Sequence, residues 1–184
     1  MTLSQADKAS GPQLPAAIER TPVPSPDVKP NAPRIPPFVH DILDDNPTGY
    51  LGTIRPDGEL SITPLALLFD GETIRLSTTT DRKKYRNLLA DPRIALCVPH
   101  RKNPNRYVEV RGTANLVPDP DRTFINSVAK KYMDADVYPF DPPGTDRVTI
   151  EIVARQISAP RIPLEQENPN GPDAARPGEL PDSQ

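Results

Sequence analysis

The sequence predicts a mainly β domain with accessory helices, in which six strands form one antiparallel sheet closed into a barrel. Most segments that alternate between apolar and polar residues are joined by short turn sequences, as in β-hairpins. Only three segments space their apolar residues as helices do. A six-stranded antiparallel sheet removes its unpaired edges best by closing on itself, which favours the barrel.

The distribution of proline sets the expected domain limits. Nine of the 26 prolines lie in residues 1–37 and six lie in residues 160–184. Neither end has sustained apolar periodicity, so neither buries enough surface to offset the entropy of ordering. We expect a disordered proline-rich tail over residues 1–35, one domain over residues 36–160 and a disordered tail over residues 161–184.

The first predicted elements are a short helix and a hairpin. The helix begins at Pro36, presents Phe38, Val39, Ile42 and Leu43 on one face, and stops before Asn46-Pro47. Strands over residues 49–55 and 60–69 are joined by the turn sequence Arg-Pro-Asp-Gly. Pro64 interrupts the second strand and predicts an edge or a bulge, because proline donates no ladder hydrogen bond.

A third strand over residues 73–77 leads into a helix that packs through Tyr85, Leu88 and Leu89 and ends at Asp91-Pro92. The apolar run over residues 94–98 predicts a strand covered on both faces, with its single cysteine as a buried structural thiol.

The remaining elements are a long strand, a helix and a last strand. Residues 107–117 alternate between apolar and polar for most of their length. Asp119-Pro120 then caps a helix whose Phe124, Val128 and Tyr132 recur at helical spacing. Residues 148–155 alternate again and complete the sheet.

Residues 77–87 read Ser-Thr-Thr-Thr-Asp-Arg-Lys-Lys-Tyr-Arg-Asn and place four cations where a helix begins. These cations oppose the helix dipole at a cost of roughly 0.3 to 1 kcal/mol each. Hydroxyl groups followed by a cationic helix start suit a phosphate, which would accept hydrogen bonds from both. The predicted cradle consists of Ser77, Thr78, Thr79, Arg82, Lys83 and Lys84. The alternative is a solvated helix with ordinary surface charges.

The sequence disfavours a metal site and leaves the role of a second basic stretch undecided. His40 and His100 match no metal-ligand spacing, so we expect no metal site. Walker A and dinucleotide-binding glycine motifs are absent, which disfavours ATP and Rossmann-type dinucleotide binding. The basic stretch at Arg101, Lys102 and Arg106 is either a solvated loop or an extension of the anion site in which Arg106, Tyr107 or Arg111 meets the far part of a charged ligand.

Charge and hydropathy limit the expected location and partners. The net charge of −3 gives no general attraction to nucleic acid or an anionic membrane. No apolar stretch approaches the roughly 18 residues of a membrane span. The N-terminus has no apolar core of a signal peptide, which leads us to expect a cytoplasmic protein.

Four ordered segments, residues 52–64, 76–88, 91–98 and 106–114, resemble the flavin/deazaflavin oxidoreductases related to pyridoxamine 5'-phosphate oxidase. The resemblance is strongest to the branch that uses coenzyme F420, often called group B. It implies a split β-barrel of the FMN-binding type, a homodimer and two cofactor sites at the subunit interface.

The resemblance also implies roles for particular residues. Arg82 and Lys84 match residues that hold the cofactor phosphate, and Asn87 matches the asparagine that follows them. Tyr107 matches an aromatic residue that approaches the cofactor. The strand that lies along the tricyclic ring is matched by Ser61, Thr63 and Pro64.

The expected function is hydride transfer between reduced F420 and a small organic acceptor such as a quinone, an enone or a tetrapyrrole. The cofactor carries this chemistry, and no residue stands out as a catalytic group or proton donor. Two alternatives remain: an FMN-dependent oxidase or reductase of the same fold, and a non-catalytic protein that binds a cofactor or a partner.

Overall fold

The computed structural model of the chain describes residues 33–45 and 47–162. Within these residues the structure is a closed, entirely antiparallel six-stranded barrel with short helices outside it. The predicted fold class and order of elements are confirmed. The predicted tails fall almost wholly outside the described residues, and the domain limits at residues 36 and 160 stay predictions.

In the described part of the chain one helix precedes the first strand and two lie between strands, as the sequence predicts. A 3-10 turn, Pro37–Val39, leads into α1, and the barrel runs in the spatial order β1-β2-β3-β6-β5-β4. The helices are α1 His40–Asp44, α2 Lys83–Ala90 and α3 Thr123–Met133. The strands are β1 Thr48–Ile54, β2 Leu60–Phe69, β3 Ile74–Thr79, β4 Arg93–Pro99, β5 Tyr107–Pro118 and β6 Arg147–Ser158.

A tight turn joins β1 to β2. The Gly58 N–H donates to the Arg55 carbonyl at 2.9 Å, and Gly58 has a φ of 86°. A side chain is strained at this positive φ, so glycine suits the last position of the turn. The predicted hairpin is confirmed.

The barrel is split between β2 and β3. These strands pair only where residues 67–69 face residues 74–76. Residues 60–66 of β2 pair with β1, whereas residues 77–79 of β3 pair with β6. Pro64 therefore lies on a stretch of β2 that has a strand on one side only, which confirms the edge position predicted from its missing N–H.

The core fills the barrel and the end covered by α1. Leu51, Leu67, Leu76, Leu96 and Ile150 are fully buried inside the barrel. From the region of α1, Val39, Ile42 and Leu43 pack onto the same cluster.

Several details of packing differ from the sequence predictions. Phe38 and Leu89 are exposed, because their helices turn these side chains outward. Strand β4 buries Ile94, Leu96 and Val98 but exposes Ala95, so only one of its faces is covered within the chain. The cysteine on its other face is half-buried rather than buried.

The other differences concern α3 and β5. The α3 residues in the core are Ile125, Val128 and Ala129, and Phe124 lies at the margin. A shift in the pairing of β5 with β6 occurs between Arg111 and Gly112 and interrupts the predicted alternation. Among residues 33–45 and 47–162, no helix is both long enough and apolar enough to cross a bilayer.

Candidate functional site

A cavity of about 210 Å³ opens where β2 and β3 separate. Residues 64–66 of β2 form one side, and residues 77–79 of β3 form the other. Ile125 and Val128 of α3 contribute an apolar wall. Because β2 and β3 separate here, a slot remains between their backbones that is not filled by another strand.

The hydroxyl side chains at the end of β3 are buried along this cavity. Ser77 accepts a hydrogen bond from Nη1 of Arg147 at 3.1 Å, and Thr79 donates to the carboxylate of Asp81. Thr78 is only 3% exposed, and its Oγ1 has no hydrogen-bond partner among the described atoms. A buried hydroxyl without a partner costs free energy, which a bound ligand at this position can recover.

The cationic start of α2 borders the same cavity. Arg82 is the N-cap residue, and no side chain caps the helix. Arg82 and Lys84 line the cavity, whereas Lys83 and Arg86 are exposed to solvent. Burial lowers the pKa of the Lys84 ammonium, and the charges of Arg82 and Arg147 lower it further. These cations are therefore close enough to repel one another.

Arg147, the first residue of β6, is a third cation at the cavity. Its side chain is 8% exposed and is held by Asp141, with Nε 2.8 Å from Oδ2 and Nη2 2.5 Å from Oδ1. The guanidinium also lies 4.6 Å from the centre of the Tyr138 ring, which lines the cavity. Burial lowers the pKa of Arg147, but the interactions with Asp141 and Tyr138 together outweigh burial, so the pKa is raised.

Sequence reasoning did not identify Arg147, Tyr138 or Asp141. Arg147 is separated from the cationic start of α2 by more than 60 residues, and only the pairing of β6 with β3 brings them together. The available signal was a cation at the first position of the last strand, directly before the alternating residues. That signal is weak, because a basic residue at a strand end is common.

The structure brings six of the predicted site residues to one cavity. They are Pro64, Ser77, Thr78, Thr79, Arg82 and Lys84. Ser61 and Thr63 lie on the preceding part of the same β2 edge. Asn87 is buried under α2, where its Nδ2 donates to Thr53 Oγ1 at 3.0 Å, a contact that fastens the helix to β1.

The second basic stretch does not reach this cavity within the chain. The Arg106 side chain is buried against Asp41, and Arg101 lies 4.0 Å from Asp45. Tyr107 opens β5 opposite Pro99 and is half-buried. Arg101 and Arg106 therefore attach the β4–β5 connection to α1 and the residue that follows it.

The charges of the cavity suit an anion. The described residues that line it include Arg82, Lys84 and Arg147 and no carboxylate. A phosphate would satisfy these donors and the free hydroxyl of Thr78. The donor set therefore fits the phosphate of a cofactor.

Comparisons with known proteins agree with this geometry. Residues 35–159 match the family described as pyridoxamine 5'-phosphate oxidase. An F420 reductase is 36% identical, with 67% of this chain and 98% of that chain covered and a TM-score of 0.60. The conserved hypothetical protein Rv2991 from Mycobacterium tuberculosis is 26% identical over 70% of this chain and 86% of its own, with a TM-score of 0.54.

A pyridoxamine 5'-phosphate oxidase-like protein from Listeria innocua shares the fold at 21% identity, with 66% of this chain and 94% of that chain covered and a TM-score of 0.53. Among curated proteins, none matched the sequence.

Proposed function

This chain belongs to the pyridoxamine 5'-phosphate oxidase family, and we propose that it is an oxidoreductase that uses the deazaflavin coenzyme F420. The observation that carries the proposal is the cavity between β2 and β3, which, among the described residues, is lined by three cations and an unpartnered hydroxyl and by no carboxylate. The similarity to an F420 reductase over nearly the whole of that protein supports the choice of cofactor.

In this proposal the phosphate is held at the end of β3 and the start of α2. Arg82 and Lys84 supply charged donors, and Ser77, Thr78 and Thr79 supply hydroxyls. A hydrogen bond to a charged group such as a phosphate contributes about 1.5 to 3 kcal/mol. Exposed Lys83 is assigned to the more distal anionic part of the cofactor.

The ring of the cofactor is assigned to the edge of β2. Residues 60–66 have a neighbouring strand on the β1 side only, which leaves the other edge of their backbone open to a planar ligand. Ser61 and Thr63 would lie along the ring, and Pro64 needs no ladder partner there. Tyr107 is proposed to approach the ring from a second subunit, since it does not line the cavity of its own chain.

Bound F420 would supply hydride-transfer chemistry, and the protein would orient it and exclude water. Buried apolar residues of α3 and half-buried residues of β2 line the cavity and would shield the bound cofactor from water. The acceptor is proposed to be a small organic molecule, such as a quinone, an enone or a tetrapyrrole, that lies over the exposed face of the ring.

A homodimer is part of the proposal. Strands β1, β2 and β4 present an outward apolar surface in which Tyr50, Leu60 and Ile62 are 45%, 75% and 68% exposed. The half-buried Cys97 lies beside Tyr50 in the pairing of β4 with β1. A second copy of the chain would bury this apolar surface and complete the cofactor site with residues such as Tyr107.

The test is a pair of titrations of the purified protein, one with F420 and one with FMN, each followed by protein or cofactor fluorescence. Oxidation of reduced F420 is then measured with quinone, enone and tetrapyrrole acceptors. Tight binding of F420 and turnover of at least one acceptor are expected. Binding of FMN alone would replace this proposal by an FMN-dependent activity on the same fold, and binding of F420 without turnover would indicate a carrier.

A further inference from the structure

We infer that Arg147 is a direct ligand of the bound phosphate and that Asp141 is the residue that positions it. The location of the anion site follows from the cavity, whereas its identity as a cofactor site rests on the proposed function. The inference adds a ligand from β6 to a site that is otherwise built by β3 and α2.

The guanidinium of Arg147 is buried beside the anion site and does not extend into solvent. Its side chain is 8% exposed, and its Nη1 contacts Ser77 Oγ, a group that itself lines the cavity. A buried guanidinium keeps its proton and requires acceptors, which a phosphate supplies in a geometry that matches its fork. Lys84 is close enough to Arg147 for the charge of the guanidinium to lower the pKa of the Lys84 ammonium.

Asp141 holds the other edge of the guanidinium. Its two oxygens accept from Nε and Nη2 of Arg147, and Oδ2 also accepts from Nη2 of Arg122 at 2.6 Å. The Asp141 side chain is 7% exposed, so this contact is enclosed. Asp141, which is itself held by Arg122, and the Tyr138 ring fix Arg147 in one orientation before any ligand binds, which reduces the entropy lost on binding.

If Asp141 positions Arg147, neutralising Asp141 weakens anion binding, whereas an effect of net charge alone would strengthen it. Asp141 is a carboxylate close to an anion site, so its neutralisation would strengthen anion binding if only net charge mattered. If Asp141 orients Arg147, the same change releases the guanidinium from its fixed orientation and weakens binding. The Asp141→Asn variant, which keeps the shape of the side chain, separates these two effects.

The experiment compares FMN with riboflavin, which has the same ring without the phosphate, and includes F420 in parallel. Dissociation constants are measured for the wild-type protein and for the Arg147→Lys, Arg147→Ala and Asp141→Asn variants, with thermal unfolding as a check of folding. Asp91→Asn is the control, because Asp91 pairs with the exposed Arg93 away from the cavity.

Arg147→Ala is expected to weaken binding of the phosphate-bearing cofactors by about 10- to 100-fold, the scale of one lost hydrogen bond to a charged group. Riboflavin binding stays within about twofold. Arg147→Lys, which keeps the charge but loses the fork, is expected to fall between wild type and Arg147→Ala. Asp141→Asn is expected to weaken FMN or F420 binding by at least about threefold while leaving riboflavin unchanged.

Equal or tighter binding of the phosphate-bearing cofactors by folded Asp141→Asn would overturn the positioning role. An unchanged ratio of FMN affinity to riboflavin affinity in both Arg147 variants would overturn the role of Arg147 as a phosphate ligand. If Asp141→Asn does not fold, the two Arg147 variants still test this role. A protein that binds FMN but not F420 would refute the proposed function and still test Arg147. If neither cofactor binds, inorganic phosphate is titrated by calorimetry, and its failure to bind the wild type would refute the anion site itself.

Discussion

Arg106 donates two parallel hydrogen bonds to the carboxylate of Asp41, from Nη1 to Oδ2 at 2.5 Å and from Nη2 to Oδ1 at 2.6 Å. Its Nη2 also donates to the Phe38 carbonyl at 2.6 Å. The Arg106 side chain is 6% exposed, whereas Asp41 is 46% exposed. The pair therefore fastens the N-terminal helix over one end of the barrel and gives Arg106 a structural role in the chain.

The first prediction concerns this pair. Asp41→Asn is expected to lower the free energy of unfolding by about 2 kcal/mol, because it leaves a buried guanidinium without its charged partner. Cofactor affinity is expected to stay unchanged. Urea unfolding measures the stability, and Asp57→Asn, in an exposed pair with Arg55, serves as the control with a change below about 0.5 kcal/mol. A loss of affinity without a loss of stability would return Arg106 to the cofactor site.

The same pair has a pH dependence. The hydrogen bonds from Arg106 hold the pKa of Asp41 below its ordinary value of 3.8, although burial opposes the shift. A depressed carboxyl pKa stabilises the folded state above the unfolded pKa, and that contribution is lost as the pH falls through the folded pKa. The stability difference between wild type and Asp41→Asn is therefore expected to shrink as the pH is lowered below 3.8.

The second prediction concerns the protonation of Lys84. Its pKa is lowered from 10.5 by burial first and then by Arg82 on its own helix and Arg147 on β6. A bound phosphate favours the charged ammonium and raises this pKa, so binding takes up a proton at alkaline pH. The affinity for FMN relative to riboflavin is expected to fall as the pH rises through the lowered pKa.

A Lys84→Arg variant provides the control for this pH dependence, because its guanidinium does not titrate in the same range. Its ratio of FMN to riboflavin affinity is expected to vary less with pH than that of the wild type. A wild-type ratio that stays constant up to pH 10.5 would place the Lys84 ammonium outside the anion site.

The third prediction concerns the proposed dimer. Ile62→Asp places a charge in the apolar surface of β1, β2 and β4 and is expected to convert the dimer to a monomer in sedimentation experiments. Leu89→Asp, at a 54% exposed position on α2, is the control and is expected to leave the dimer intact. A wild-type protein that sediments as a monomer would refute the proposed interface.

The strands, turns and helices could be predicted because each leaves a local pattern. The turn at Gly58, the helix end at Asp91-Pro92 and the edge position of Pro64 depend on backbone rules that act within a few residues. Arg147 could not be predicted, because its role depends on the pairing of β3 with β6. The β-bulge opposite Gly112, where Arg155 of β6 has no partner on β5, was missed for the same reason, since it exists only in the pairing of these two strands.

The fourth prediction follows from that bulge. A Cβ at position 112 would lie 2.0 Å from the Val153 carbonyl oxygen, a backbone atom that cannot turn away. Gly112→Ala is therefore expected to cost at least about 3 kcal/mol or to prevent folding. Gly52→Ala is the matched control, because its Cβ would be 3.3 Å from the nearest backbone oxygen. Similar thermal stabilities of the two variants would contradict the close approach of β5 and β6.

The last prediction concerns Tyr132, whose hydroxyl hydrogen-bonds the backbone of Leu67 on the side where no strand pairs with it. Strand β1 begins opposite Ala66, so the next residue of β2, Leu67, has no partner on that side. The Leu67 N–H donates to Tyr132 Oη at 3.1 Å, and Oη lies 2.8 Å from the carbonyl oxygens of both Leu67 and Pro47. Burial raises the pKa of Tyr132, which keeps the hydroxyl protonated and able to donate.

Tyr132→Phe removes this hydroxyl and leaves the N–H of Leu67 unpaired, so it is expected to lower the free energy of unfolding by about 1 to 3 kcal/mol. Since Leu67 is also where β2 begins to pair with β3, amide hydrogen exchange is expected to accelerate at residues 67–69. Ser127→Ala is the control, because it removes an exposed hydroxyl of the same helix, one that donates only to the Thr123 carbonyl within that helix. Equal stability and equal exchange in both variants would mean that the hydroxyl of Tyr132 does not hold this end of the split.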